Sequence, residues 1–219
     1  MNWLGIVVSY LYIILVIIGA KIFEKKGNEA SRKFIHIMLG NWWFIAMYFF
    51  TNVWFAAFVP ATFIIINYLS FKKNIIKVME RDEQDGFGTV YYAVSLLILV
   101  IVSFGIYDMP SLGLIPNLVM AYGDGLAALV GKNIKSKKYK LGDSKKSFAG
   151  SLTMFAIATL LIGGYLAFWH PGVYLATPHW SLVTAMIGFV ITAIEAISVK
   201  GTDNITVPLG TLCLLLLIG

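Results

Sequence analysis

Asp124 stands between two glycines in the stretch AYGDGLAALVGK, residues 121–132, and Glu195 opens EAISVKGTDN, residues 195–204, in which Asp203 follows. Asp124 and Glu195 each fall inside an apolar run of membrane-spanning length, and Asp203 lies just beyond the second run. A carboxylate at the bilayer centre costs at least ~2.5 kcal/mol even on the lenient insertion scale, so an intramembrane acid is functional by default. Neither acid is at the centre. Asp124 precedes Lys132 by eight residues, about 12 Å along a helix axis, and Glu195 precedes Lys200 by five, about 7 Å. Both therefore sit at similar depth, near the C-terminal ends of two helices whose negative dipole ends reinforce the carboxylates. Such a set is a cation site, with Asp124, Glu195 and Asp203 as ligands. Hard oxygen donors suit magnesium, which commonly takes one or two carboxylates plus substrate phosphates; manganese is the alternative ion. The simpler reading gives each acid a lysine partner in a local ion pair.

An anion side lies next to this cation side. GDSKKSFAGS, residues 142–151, sets Lys145, Lys146 and Ser147 at the start of a helix with Gly150 in its first turn. Free backbone N–H groups, two ammonium groups and a hydroxyl make a phosphate cradle; the alternative is a serine cap among ordinary interfacial lysines. Gly123 and Gly125 leave room for a ligand or a neighbouring backbone, although small residues are also packing surfaces between membrane helices. SRKFIHIMLGN, residues 31–41, brings Arg32, Lys33 and His36 to the start of another span, with Arg32 and His36 four apart on one face. A histidine near phosphates can orient a hydroxyl or act as a base, or simply anchor the interface. Asp203 and Asn204 suit a helix N-cap, a role compatible with ligation. RDEQDGFG, residues 81–88, reads as a solvated loop. The chain has no GxxxxGK[ST], HExxH, CxxC or GxSxG motif.

The elements that must hold these residues are membrane helices. Of 219 residues 59% are hydrophobic and 13% charged, against about a quarter charged in soluble domains; the mean hydropathy is +0.82. The lone Cys213 excludes an internal disulfide. Apolar segments at about 3–20, 34–50, 53–69, 88–106, 110–131, 148–169, 179–198 and 205–219 predict eight helices, an all-α polytopic protein forming a single transmembrane catalytic domain over 1–219. Pro60 predicts a kink in the third. The first run has lysines after it and none before, the reverse of a signal peptide. All 17 Lys and Arg residues fall in the odd-numbered connections, and those around Thr51, Asp108 and 170–179 have none. The positive-inside rule then sets the basic loops in the cytoplasm and both termini outside.

At these same residues the chain resembles a known family. RKFIH before a span, AYGDGLAALVGK, KKSFAGSLTMF and IEAISVKGTDNITVPL occur in order between residues 31 and 209. Together they resemble the phytol kinase, dolichol kinase and CTP-dependent diacylglycerol kinase family, a relative of phosphatidate cytidylyltransferase. The resemblance implies an enzyme that uses CTP and a divalent metal to phosphorylate a lipid alcohol. It also implies roles. Asp124 matches the acid of the glycine-flanked motif; Lys145, Lys146, Ser147 and Gly150 match the basic–serine–glycine motif. Glu195, Asp203 and Asn204 match the acidic pair near the last helix, and Arg32, Lys33 and His36 match the early motif. The expected catalytic groups are Asp124, Lys145, Lys146 and His36. Arg32, Lys33, Gly123, Gly125, Lys132, Ser147, Gly150 and Asn204 are expected to bind the nucleotide. The histidine–glycine–glycine element and Asp-Arg-x-Asp ending of the cytidylyltransferase branch do not occur here, which favours the kinase.

The expected activity is therefore phosphoryl transfer from CTP to a polyprenol, phytol or diacylglycerol at the cytoplasmic face of a prokaryotic cell membrane. The partners are nucleotide, lipid and bilayer, with no nucleic acid and an oligomeric state left open. A cytidylyltransferase making a CDP-lipid is the nearest rival. An ion-coupled transporter using Asp124 and Glu195 as its coupling site, or a scaffold whose lysines touch anionic lipid, are rivals of other classes.

Overall fold

The computed structural model describes residues 1–24, 28–73, 87–141, 144–176, 179–199 and 201–218, without the side chains of Glu24, Asn28, Ser144, Lys145 and Leu175. Residues 81–86 of the expected solvated loop, and Lys25, Lys26, Lys77, Arg81 and Lys200 of the basic-loop pattern, lie outside the described residues. Helices dominate: α1 (Asn2–Glu24), α2 (Asn28–Gly40), α3 (Trp42–Phe49), α4 (Val53–Lys73) and α5 (Gly88–Val100), which runs on as a π-helical turn over Ile101–Ile106. A 3-10 turn (Pro110–Gly113), α6 (Leu114–Leu118), a second π-helical turn (Val119–Asp124) and α7 (Gly125–Asn133) then make one continuous rod. After a hairpin of β1 (Lys138–Leu141) and β2 (Ser144–Ser147) come α8 (Phe148–Trp169), α9 (Pro171–Ala176), α10 (Trp180–Ile197) and α11 (Asp203–Ile218).

Six helices among the described residues are long and apolar enough to cross a membrane: Asn2–Phe23, Val53–Lys73, Gly88–Ile106, Pro110–Asn133, Phe148–Trp169 and Trp180–Ile197. The other two expected spans take different forms. α11 is a shorter apolar helix, and the segment read as 34–50 is split into α2 and α3 at Asn41. That break needs backbone partners, because lipid offers none. Tyr12 donates to the Met38 carbonyl at 2.5 Å and Asn117 to the Gly40 carbonyl at 2.6 Å. Tyr122 donates to the Asn41 side chain at 2.9 Å. Pro60 is accommodated within an unbroken α4.

The rod from Pro110 to Asn133 is the hub. Of its most apolar window 72% is buried, against 22–44% for the other five spans. Helices α2, α5, α8 and α11 pack against it. Its Leu114, Val119 and Met120 are fully enclosed, with Met154 of α8 and Val207 of α11 beside them. The outer helices carry the apolar surface: Trp54, Leu160, Phe168 and Leu217 are all exposed, as a lipid-facing belt requires. Exposed Trp3, Tyr48, Trp54, Tyr107 and Trp169 cluster by chain position at the end away from the lysines, where amphipathic rings mark a membrane interface.

Candidate active site

The sequence run 119–124 makes the hub turn wide just before it reaches Asp124, which ends the π-helical segment. Such single turns are rare and concentrate at functional sites. Asp124 is 7% exposed. Its Oδ2 accepts from Lys33 Nζ at 2.5 Å and lies 3.3 Å from His36 Nε2. Lys33 and His36 reach it from α2, where their three-residue spacing puts them on one face. His36 Nε2 is also 3.2 Å from the Met120 carbonyl, one turn before Asp124. With two acceptors in front of it, Nε2 carries the ring proton, which leaves the lone pair on Nδ1.

Glu195 arrives from the last turn of α10 and is 4% exposed. Asp203 begins α11. The chain between them turns tightly: Gly201 has φ 80°, a left-handed conformation that glycine adopts at no steric cost. Thr202 Oγ1 both donates to the Val199 carbonyl at 2.7 Å and accepts from the Val199 N–H at 3.1 Å. Ser198 and Thr206 are linked through their hydroxyls at 2.6 Å. This turn folds Asp203 back over Glu195.

Asp124, Glu195 and Asp203, up to 79 positions apart in the chain, each offer a carboxylate oxygen within 4.8 Å of the others. Lys146 of β2 donates to Glu195 and stands 3.9 Å from Asp203 Oδ2. Burial alone would pull the Lys146 ammonium down, but Glu195 and then Asp203 outweigh it and hold its pKa above the ordinary lysine value. It is charged at neutral pH. Among the described residues, three carboxylates thus face two ammonium groups, Lys33 and Lys146. Each of Asp124 and Glu195 has its lysine, and the three acids converge. The donor set fits a hard divalent cation. Asn204 strengthens the fit, because its Oδ1 is buried and has no hydrogen-bond partner among the described residues, while its Nδ2 donates to the Gly201 carbonyl at 3.2 Å.

Other expected residues take different positions. The first three N–H groups of α8 are already used: Phe148 donates to the Lys137 carbonyl at 3.1 Å, Ala149 to Ser136 Oγ at 3.2 Å, and Gly150 to Ser147 Oγ at 3.1 Å. The backbone cradle expected there is closed by the protein itself, and Ser147 is the helix cap. Gly150 is a packing glycine, since a Cβ there would lie 2.9 Å from the Ala127 carbonyl. The Cβ directions of Gly123 and Gly125 are filled by Met154 and Ile37, so the room these glycines leave is taken by protein rather than ligand. Arg32 is held by both carboxylate oxygens of Glu29, at 2.6 and 2.7 Å, away from the acids. Lys132 is exposed at the end of α7. Lys145 has its backbone in β2 opposite Lys140, and its side chain lies outside the described residues.

Two partners were not foreseen. Glu29 lies three residues before Arg32, a helical pairing the sequence does display. Tyr92 packs edge-on against His36 with ring centroids 4.8 Å apart; nothing in its local sequence, VYYAV, sets it apart from its neighbours.

A polytopic helical membrane protein with an acid cluster on its hub helix, countered by two inward lysines, is the class these features define. The chain is 30% identical to the phytol kinase of Synechocystis sp. over 212 residues, covering 95% of this chain and 89% of that one. It is 31% identical to phytol kinase 1, chloroplastic, of Arabidopsis thaliana over 202 residues, covering 84% of this chain and 65% of the plant protein. No family profile and no solved structure matches it. The chain belongs to the phytol/dolichol kinase family.

Proposed function

We propose that the protein transfers the terminal phosphoryl group of CTP to a prenyl-type lipid alcohol. The observation that carries this reading is the meeting of three carboxylate oxygens within 4.8 Å of one another, with the ammonium groups of the buried Lys33 and the half-buried Lys146 on two of them. Relatives named phytol kinase support the alcohol class, and CTP rests on the family resemblance. Asp124, Glu195 and Asp203, with the Asn204 carbonyl, would hold magnesium, which when bound neutralises phosphate charge. Lys33 and Lys146 stand ready to pair with the phosphate oxygens, and most of the acceleration comes from positioning and electrostatics.

The alcohol oxygen forms the new O–P bond to the γ-phosphorus as the bond to the β-phosphate oxygen breaks, releasing CDP. The hydroxyl proton passes to His36 Nδ1, whose ring is oriented by Asp124 and the Met120 carbonyl through Nε2. The exposed Lys72 and Lys73 end α4, and the exposed Lys135, Lys137, Lys138 and Lys140 lie between α7 and α8, all on the site's side of the chain, which supports a cytoplasmic site. The test is isotopic. Purified protein given CTP labelled in the γ-phosphate is expected to label extracted geranylgeraniol or phytol. Label that enters lipid only from the α-phosphate or the cytosine would replace the kinase with a cytidylyltransferase.

A further inference from the structure

Five exposed lysines, Lys132, Lys135, Lys137, Lys138 and Lys140, crowd the end of α7 and its connection to α8. Among the described residues no acid lies within ion-pair distance of any of them, whereas Arg32 has Glu29, Lys33 has Asp124 and Lys146 has Glu195. The antiparallel register of the β1–β2 hairpin sets Tyr139 opposite Lys146. Directly opposed residues share a face, and side chains alternate between faces along a strand. The face of Tyr139 and Lys146 is turned to the body of the protein: the Tyr139 hydroxyl meets that of Ser151 of α8 at 2.5 Å, and Lys146 donates to Glu195. Lys138 and Lys140 therefore belong to the other face, and both are exposed. A two-stranded hairpin is marginal in stability by itself, so whatever lies against this second face affects how firmly Lys146 is held.

We infer that this outer face docks on acidic phospholipid headgroups of the leaflet on the site's side, and that the contact orders the hairpin carrying Lys146. Two observations choose this occupant over a soluble anion. The hairpin joins the spans Pro110–Asn133 and Phe148–Trp169, so it is tethered to the bilayer surface at both ends. Its lysines lie where the negative potential of an anionic leaflet is felt, within about 10 Å of the headgroups. The lysines are also interleaved with exposed apolar groups, Ile134, Leu141 and Phe148, and Phe148 packs edge-on against Tyr139 with ring centroids 5.3 Å apart. Basic side chains among apolar ones are what an interfacial element presents to an anionic membrane; a soluble phosphate gains nothing from the apolar groups.

The test compares full-length protein in nanodiscs of phosphatidylcholine alone and of phosphatidylcholine mixed with phosphatidylglycerol. Native mass spectrometry of protein released from the mixed discs is expected to find phosphatidylglycerol retained in preference to phosphatidylcholine. The preference should disappear in Lys135→Gln/Lys137→Gln/Lys138→Gln/Lys140→Gln; equal retention by variant and parent overturns the docking. Hydrogen–deuterium exchange reads the ordering. Backbone amides of β1 and β2 in the parent chain are expected to exchange about tenfold more slowly in the mixed discs, with the protection lost at high salt. Exchange at the same rate in both discs overturns the proposal, and this comparison decides even if the variant fails to fold. Tripolyphosphate added to phosphatidylcholine discs supplies the free anion: protection as large as that from the acidic lipid would make the face a soluble-phosphate site and overturn the lipid assignment. Both arms read contact and order rather than turnover, so their failure leaves the kinase reading standing, and the isotopic test can fail without touching them.

Discussion

Asp124 has two partners to satisfy: it neutralises the buried Lys33, and it belongs to a cluster of three acids that, among the described residues, meets two lysines. Lys33 is 5% exposed, so removing its partner leaves an uncompensated ammonium group, at a cost of about 3–5 kcal/mol. Asp124→Asn is therefore expected to abolish phosphoryl transfer and also to lower the thermal midpoint in detergent. Adding Lys33→Met should restore the midpoint without restoring turnover; a double variant as unstable as the single one would show that the pair does not carry the stability. In the proposed reaction Glu195 and Asp203 would be ligands of the cation. Glu195→Gln is expected to weaken Mn²⁺ binding at least tenfold, or ~1.4 kcal/mol, read by electron paramagnetic resonance. Equal affinity in the variant would remove Glu195 from the ligand set. The acids were legible in the sequence because a charge in an apolar run is costly. Lys33 and Lys146 stood out in their motifs as well, but which acid each meets was not legible, since nothing in the order of residues pairs them until a fold aims them.

Two elements decide how the site is held. The π-helical turn over Val119–Asp124 changes the register of everything after it on the hub, and so sets the direction in which Asp124 leaves the helix. Sequence periodicity sees only an apolar run there, because the turn's extra residue leaves no compositional trace. The second element is the start of α8. Tyr139 of the hairpin shares a 2.5 Å hydroxyl contact with Ser151, which fixes the strand that delivers Lys146. Ser147 caps the helix, and Gly150 lets it approach α7. Ser147→Ala is expected to destabilise the protein by about 1 kcal/mol, measured by thermal unfolding, at unchanged KM for CTP. A large rise in KM with no loss of stability would return Ser147 to the phosphate-binding role its sequence context suggests. The hairpin itself had a signal in the sequence, a Gly142-Asp143 pair between two short runs, outweighed by the reading of the whole stretch as a basic loop.

At the scale of the molecule, the lysines and the acid cluster share one side, and the exposed aromatics by chain position share the other. Single cysteines test this arrangement. In a Cys213→Ser background, Lys135→Cys is expected to resist a membrane-impermeant maleimide in intact cells and to react after permeabilisation, whereas Asp108→Cys should react in both. Reversed labelling would put the site on the outer face. Equal labelling of both positions would mean that the hub does not cross the membrane.

The sequence by itself determined a membrane protein built of helices, the alternation of its basic connections, and the three acids as outlying charges, because hydropathy and charge placement are properties of single residues in order. Only the tertiary structure decided which partners those acids meet, that the N–H groups at the start of α8 are already satisfied, and that the second segment breaks at Asn41. Each of these depends on side chains from distant helices arriving within hydrogen-bond reach, a geometry set by packing around the hub rather than by any local pattern.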